Sequence, residues 1–130
     1  MDQTVTATRI AATGMRAQAD RLRHVSENIA NADTPGYRRK LVSFDAVMQS
    51  GRTTGMVAAS RPFLDRSVLA RVHDPAHPLA DADGFYDGSN VDLITEMADA
   101  REAGRSYEAN LRIFEQSRQM SASLLDLLRR

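Results

Sequence analysis

The chain has no cysteine and no tryptophan, and aromatic residues make up only 5% of its 130 residues. Without cysteine there is no disulfide framework, no thiolate metal site and no thiol nucleophile. So few aromatic rings are a thin supply for a large globular core, and favour helix packing by Leu, Met, Ile and Ala. No charge of one sign dominates: Lys+Arg and Asp+Glu stand at 17 each, so no global field favours nucleic acid or metal storage. No run of 18 apolar residues is present, so no segment is expected to insert into a membrane. The opening residues, MDQTVTAT, lack the charged and apolar regions of a secretory signal. The expectation is a protein that stays in the cytoplasm or leaves it by a route that reads no such signal. Neither glycine-rich phosphate loop, GxGxxG or GxxxxGK[ST], occurs.

What is present is helical periodicity at both ends. In residues 5–30 a heptad frame puts Thr8, Met15, Leu22 and Ile29 at one seam position and Ala11, Gln18 and Val25 at the other. Charged residues fall elsewhere, which makes a narrow apolar stripe. Gly14 inside this helix costs about 1 kcal/mol relative to Ala, and either loosens the helix or admits a close neighbour. The stop signal follows. Asn31, Asp33 and Thr34 compete with helix through their short polar side chains. Pro35 lacks an amide donor and turns Thr34 away from helical geometry, and Gly36 offers a positive φ. The helix is expected to end near Ala32.

Residues 91–128 form the second periodic segment. One seam holds Met97, Gly104, Leu111, Arg118 and Leu125, the other Leu93, Ala100, Tyr107, Phe114, Ser121 and Leu128. Ser89 or Asn90 can cap its start, and Asp92 suits the positive end of the helix dipole. At 1.5 Å per residue this helix is roughly 57 Å long. A compact domain of this size is only about 36 Å across. The seam must therefore be covered by the first helix, by other subunits, or by both. The expected helix and subunit interface is Met15, Leu22, Val25, Ile29, Leu93, Met97, Ala100, Tyr107, Leu111, Phe114, Leu125 and Leu128.

Between the helices, residues 41–48 are ambiguous between strand and short helix. A polar turn is expected over 49–54, bracketed by Gly51 and Gly55. Residues 56–59 and 67–72 are β-prone and separated by Pro62, and 73–90 is read as a loop. The fold class is thus mainly α with a small antiparallel β insert. Its organisation is an N-terminal helix over 1–32, a turn, insert and loop over 33–90, and a C-terminal helix over 91–130, in one elongated unit.

No constellation supports chemistry. Asp81, Asp83 and Asp87 with Gly84 and Gly88 have the composition of a calcium loop, but either glycine register puts an apolar residue at a ligand position. His73 and His77 are four apart, yet Pro75 and Pro78 preclude a helix presenting both. His24 is expected to be exposed on the polar side of the first helix. Arg38-Arg39-Lys40 could touch phosphate, though such a cluster is more often solvated or paired with carboxylates. No nucleophile, base and oxyanion donor come together, so no catalytic residue, metal or cofactor is assigned.

One stretch carries a resemblance. Asn28-Ile29-Ala30-Asn31-Ala32, then Thr34-Pro35-Gly36-Tyr37-Arg38-Arg39, resembles the signature of bacterial flagellar axial proteins, the rod and hook subunits. Gly14-Met15, Ala17-Gln18 and Arg21-Leu22-Arg23 are similar to their N-terminal helix. Asp74-Pro75-x-His77-Pro78, Ala82-Asp83-Gly84-Phe85, Asn90-Val91-Asp92, Glu96-Met97 and Arg105-Ser106-Tyr107-Glu108-Ala109-Asn110 resemble the FlgC type of rod protein. Residues 49–72 carry no matching motif. The resemblance implies a structural subunit of the proximal rod of the basal body, its terminal helices paired as a coiled coil. It implies helical stacking with copies of itself and other rod proteins, torque transmission, and export by the flagellar type III apparatus into the periplasmic space. It implies no nucleic-acid partner. An isolated subunit would be only partly ordered at its ends. Rival readings are another rod subunit, a soluble helical adaptor, and a calcium-responsive binding protein.

Overall fold

The computed structural model describes residues 2–130. Helix α1 spans Asp2–Ala30 and helix α2 spans Leu93–Leu128, 29 and 36 residues. At 1.5 Å per residue they are about 44 and 54 Å long. Six short strands lie between them: β1 (Lys40–Leu41), β2 (Phe44–Gln49), β3 (Arg52–Ala59), β4 (Phe63–Leu64), β5 (Arg71–His73) and β6 (Phe85–Asp87). They pair as three separate two-stranded antiparallel ribbons, β1 with β4, β2 with β3, and β5 with β6. The architecture is the expected one, mainly α with a small β insert.

The helices run antiparallel. Asn28 near the end of α1 bonds to Glu96 near the start of α2, and Gly14 faces Asn110. A β-carbon at Gly14 would lie 2.8 Å from Asn110 Nδ2. Close approach, rather than loosening, is thus the reason for glycine there. The buried apolar residues are small: Ala11, Ala17, Val25 and Ala103. On α2 the buried positions are Glu96, Ala103 and Ser117. This corrects one seam of the sequence reading by a residue: the line through Met97, Gly104, Leu111, Arg118 and Leu125 gives way to Glu96, Ala103, Asn110 and Ser117. The most buried positions are chosen for close packing and polar bonding, Leu111 stays half-buried, and Met97 and Leu125 turn outward. Past Ser121 every residue of α2 is exposed.

Local signals account for the ends. Asn31 N–H donates to Glu27 O at 3.1 Å while its side-chain amide donates to the same oxygen at 2.9 Å, closing the last turn of α1. Gly36 then takes φ 73°, as its position after Pro35 predicts. The cap of α2 differs from expectation. It is Asp92, whose carboxylate accepts from Ile94 N–H at 3.1 Å, because Ser89 and Asn90 are used in longer-range bonds.

The insert also departs in detail. Residues 44–49 are strand, and the turn shrinks to Ser50 and Gly51, both at positive φ as a two-residue hairpin requires. Of the β-prone run 67–72 only Arg71 and Val72 pair, in a strand that runs on to His73 and joins 85–87, inside the stretch read as loop. The β2–β3 hairpin lies along α1, where Val57 N–H donates to Thr13 Oγ1 at 3.3 Å.

Candidate functional site

The end of α1, the turn after it and the start of α2 meet in one polar junction, and Asn28 is its centre. Asn28 is fully buried and makes four hydrogen bonds. Its Oδ1 accepts from Lys40 N–H at 2.8 Å and from the Tyr37 hydroxyl at 2.9 Å. Its Nδ2 donates to Lys40 O at 2.9 Å and to Glu96 Oε2 at 3.2 Å. The chain can return to Asn28 within twelve residues only because Pro35 and Gly36 reverse it. Burial pushes the Tyr37 phenol above its ordinary value.

Glu96, also fully buried, joins this centre to Arg39. Arg39 Nε donates to Glu96 Oε1 at 2.5 Å, Nη2 donates to Asp99 Oδ2 at 3.2 Å, and Nη1 lies 3.5 Å from Asp65 Oδ2. Burial works against the Arg39 charge, but the Glu96 hydrogen bond and the surrounding carboxylates outweigh it and raise its pKa. Arg21 reaches Asp99 and Glu102 from α1 at 3.3 and 3.4 Å. Lys40 Nζ pairs with Glu27 at 2.9 Å, which holds that carboxyl below the usual range and raises the Lys40 pKa.

Asn90 closes the other side. Its Oδ1 accepts from Arg39 N–H at 2.7 Å and its Nδ2 donates to Asp65 O at 2.9 Å. Gly36 N–H donates to Asp87 O and Gly88 O, and the Ser89 hydroxyl donates to Ala32 O. Arg38 Nη1 donates to Ser67 O at 3.0 Å. The basic cluster Arg38-Arg39-Lys40 is thus engaged within the chain. Paired in this way, the junction ties α1, the insert and α2 together. It can fix an angle between elements.

The remaining predicted residues divide by placement. Val25 is buried, while Met15, Leu22, Ala100, Tyr107, Leu111 and Phe114 are half-buried along the helix pair. Ile29, Leu93, Met97, Leu125 and Leu128 are exposed. So are Ala30 and Thr34, while Asn31 and Pro35 are half-buried in the turn. Further exposed apolar side chains line α2 at Ile94, Ile113, Met120, Leu124 and Leu127. Ile113, Met120, Leu124 and Leu127 share one face at helical spacing.

His24 corrects the reading that it is exposed: it is 6% exposed, covered where the chain crosses back over α1 after residue 40. The acidic loop is organised by protein groups. Asp81 Oδ1 accepts the amides of Asp83 and Phe85, both at 3.0 Å, and Arg71 pairs with Asp81 and Asp87 at 2.7 and 3.2 Å. Periodicity could not find Glu96, Asp65 or Asp99 as partners of Arg39. The one available signal was an acid at a helix position beside the apolar seam.

Comparison with known proteins places this junction in context. A family model described as "Flagella basal body rod protein" matches residues 9–38, which contain Asn28 and the turn. A second, described as "Flagellar basal body rod FlgEFG protein C-terminal", matches residues 82–127 and so most of α2. The flagellar basal-body rod protein FlgC of Agrobacterium fabrum is 43% identical, over 99% of this chain and 98% of its own. The FlgC proteins of Salmonella typhimurium and Bacillus subtilis are 34% and 32% identical, each over 91% of this chain and 92% and 93% of their own. With likeness of this extent running through both helices and the junction, the chain belongs to the FlgC family of flagellar basal-body rod proteins.

Proposed function

We propose that this chain is a structural subunit of the proximal rod of the flagellar basal body, adding helically to copies of itself and to other rod proteins and transmitting torque. One observation carries the assembly reading: the apolar face Ile113, Met120, Leu124 and Leu127 of α2, which α1 leaves uncovered. Apolar side chains repeated along one helix face are a partner surface. The junction supports a load-bearing role, because its paired groups hold α1, the insert and α2 at fixed angles. The chain acts as building material, without catalysis or a cofactor, and binds no nucleic acid. It reaches the periplasmic space through the flagellar type III export apparatus.

The test is cofractionation. The protein is expected in purified basal bodies of a motile strain, and Leu127→Asp is expected to be exported yet absent from them. Leu127 is 66% exposed, so the substitution leaves the subunit fold intact. Wild-type protein absent from basal bodies, or Leu127→Asp incorporated normally, would refute this reading.

A further inference from the structure

A groove of about 420 Å³ lies between the first turns of α1 and the tip of the β2–β3 hairpin. Ile10 and Met56 give it an apolar floor, and Arg9 and Arg52 line it. The hairpin is pressed onto the helix here: a β-carbon on Gly55 would meet Ile10 Cδ1 at 2.9 Å. Arg9 and Arg52 are both exposed and form no ion pair among the described residues. A concave site with an apolar floor and two uncommitted guanidinium groups suits a protruding segment that carries a carboxylate beside an apolar side chain.

The chain itself presents such a segment. Residues 73–100 contain Asp and Glu but no Lys or Arg. Within them, residues 74–84 form a compact projection knit by its own backbone bonds, His77 to Asp74, Ala80 to His77 and Gly84 to Asp81. Leu79 protrudes from it, 64% exposed. Asp81 is committed to Arg71, whereas the Asp83 carboxylate is exposed and accepts no hydrogen bond among the described residues. A projection already ordered loses little entropy on docking.

Geometry decides which copy is met. The groove lies beside Thr6, while the acidic projection belongs to the junction at the far end of α1, about 36 Å away at 1.5 Å per residue. One chain cannot close this contact on itself. Between copies that run parallel it is heterologous, so each copy offers a groove to one neighbour and a projection to another, and the contact propagates.

We infer that the Arg9–Arg52 groove of one copy receives the Leu79–Asp83 projection of the next. The inference rests on the reading of the chain as a subunit that adds copy to copy, and it specifies a contact outside the apolar face of α2. The absence of cysteine makes a clean test. A chain carrying Arg52→Cys and Asp83→Cys, assembled into rods and oxidised in purified basal bodies, should give a ladder of disulfide-linked dimers, trimers and longer species. Either substitution alone should give no ladder.

Charge exchange supplies the second measurement. Arg52→Asp and Asp83→Arg should each cut swimming-halo diameter by about twofold or more, and the two together should restore most of it. Both positions are exposed, so folding is not at stake. Four outcomes would overturn the contact: incorporation of the cysteine chain without a ladder, a product that stops at dimer, a cross-link to a protein of different mass, or a double charge exchange no better than the singles. Wild-type protein missing from basal bodies would remove the subunit reading, and this contact with it.

Discussion

Replacing Asn28 by Ala tests whether the junction is what holds the subunit together. Asn28 is fully buried and its amide satisfies four partners: Lys40 N–H, Lys40 O, the Tyr37 hydroxyl and Glu96 Oε2. Each neutral hydrogen bond contributes about 1 kcal/mol net, and a buried group left unsatisfied costs about 1–3 kcal/mol. The junction allows little relaxation, because Asn90 holds the Arg39 amide and Glu27 holds the Lys40 ammonium. The expected loss is about 3–5 kcal/mol, a large part of the roughly 5–15 kcal/mol available to a domain. Urea unfolding followed by far-ultraviolet circular dichroism reads it directly. A loss below about 1 kcal/mol would refute the reasoning, since it would mean that the four partners find replacements at no cost. Asn28→Asp adds a sharper arm. It keeps both acceptor contacts but turns an oxygen toward Glu96 Oε2 and Lys40 O. Glu96→Gln introduced with it returns a donor to the pair and keeps an acceptor for Arg39. The double variant is therefore expected to be more stable than Asn28→Asp alone, a coupling that a double-mutant cycle measures.

Gly36→Val should cost at least about 1 kcal/mol and reduce motility, because φ is 73° while no side chain crowds the position, so strain alone acts; Gly36→Asn should be milder, and equal wild-type motility for both would refute the role of the turn. Acid should weaken the subunit. Lys40 depresses Glu27, the Ser67 amide and hydroxyl depress Asp65, and the Phe85 amide followed by Arg71 depresses Asp81. The stability these carboxylates supply is fully present above their unfolded values near 4 and is lost as pH falls through the lower folded values. Urea midpoints should be level from about pH 7 to 5 and fall below about pH 4, and a midpoint constant to about pH 3 would refute the pairing. Phe114→Asp, at a half-buried site on the helix pair, should lower both subunit stability and rod incorporation, unlike Leu127→Asp, which should lower incorporation alone. Unchanged thermal unfolding of Phe114→Asp would show that α1 does not use that side chain.

Both helices and the break between them were legible in the sequence, because periodicity and the Pro35-Gly36 stop are local signals. The hairpin partners were less so, since strand pairing depends on what packs beside it. The seam of α2 misled by one residue for a physical reason. A frame drawn through Met97, Leu111 and Leu125 follows apolar side chains, and in this subunit Met97 and Leu125 point outward. Packing against α1 falls instead to Ala103 and Ser117, with Glu96 bonded at one end. Hydrophobic periodicity alone does not say which partner covers an apolar side chain, and in this subunit α1 covers neither Met97 nor Leu125. His24 and the Glu96–Arg39 pair were hidden because both depend on residues that return from far along the sequence.

The small-residue seam and the polar junction also differ as mechanical elements. Ala11 and Ala17 on α1 and Ala103 on α2 are buried by apolar packing, which is non-directional and fixes the relative position of the helices less sharply than directed bonds do. The bonds around Asn28 and Glu96 have fixed lengths and angles and resist displacement. A subunit built this way is stiff at the junction and compliant toward the free end of α2. Under a twisting load, strain would gather in the distal half of the helix pair, and the angle between helix and insert would stay constant.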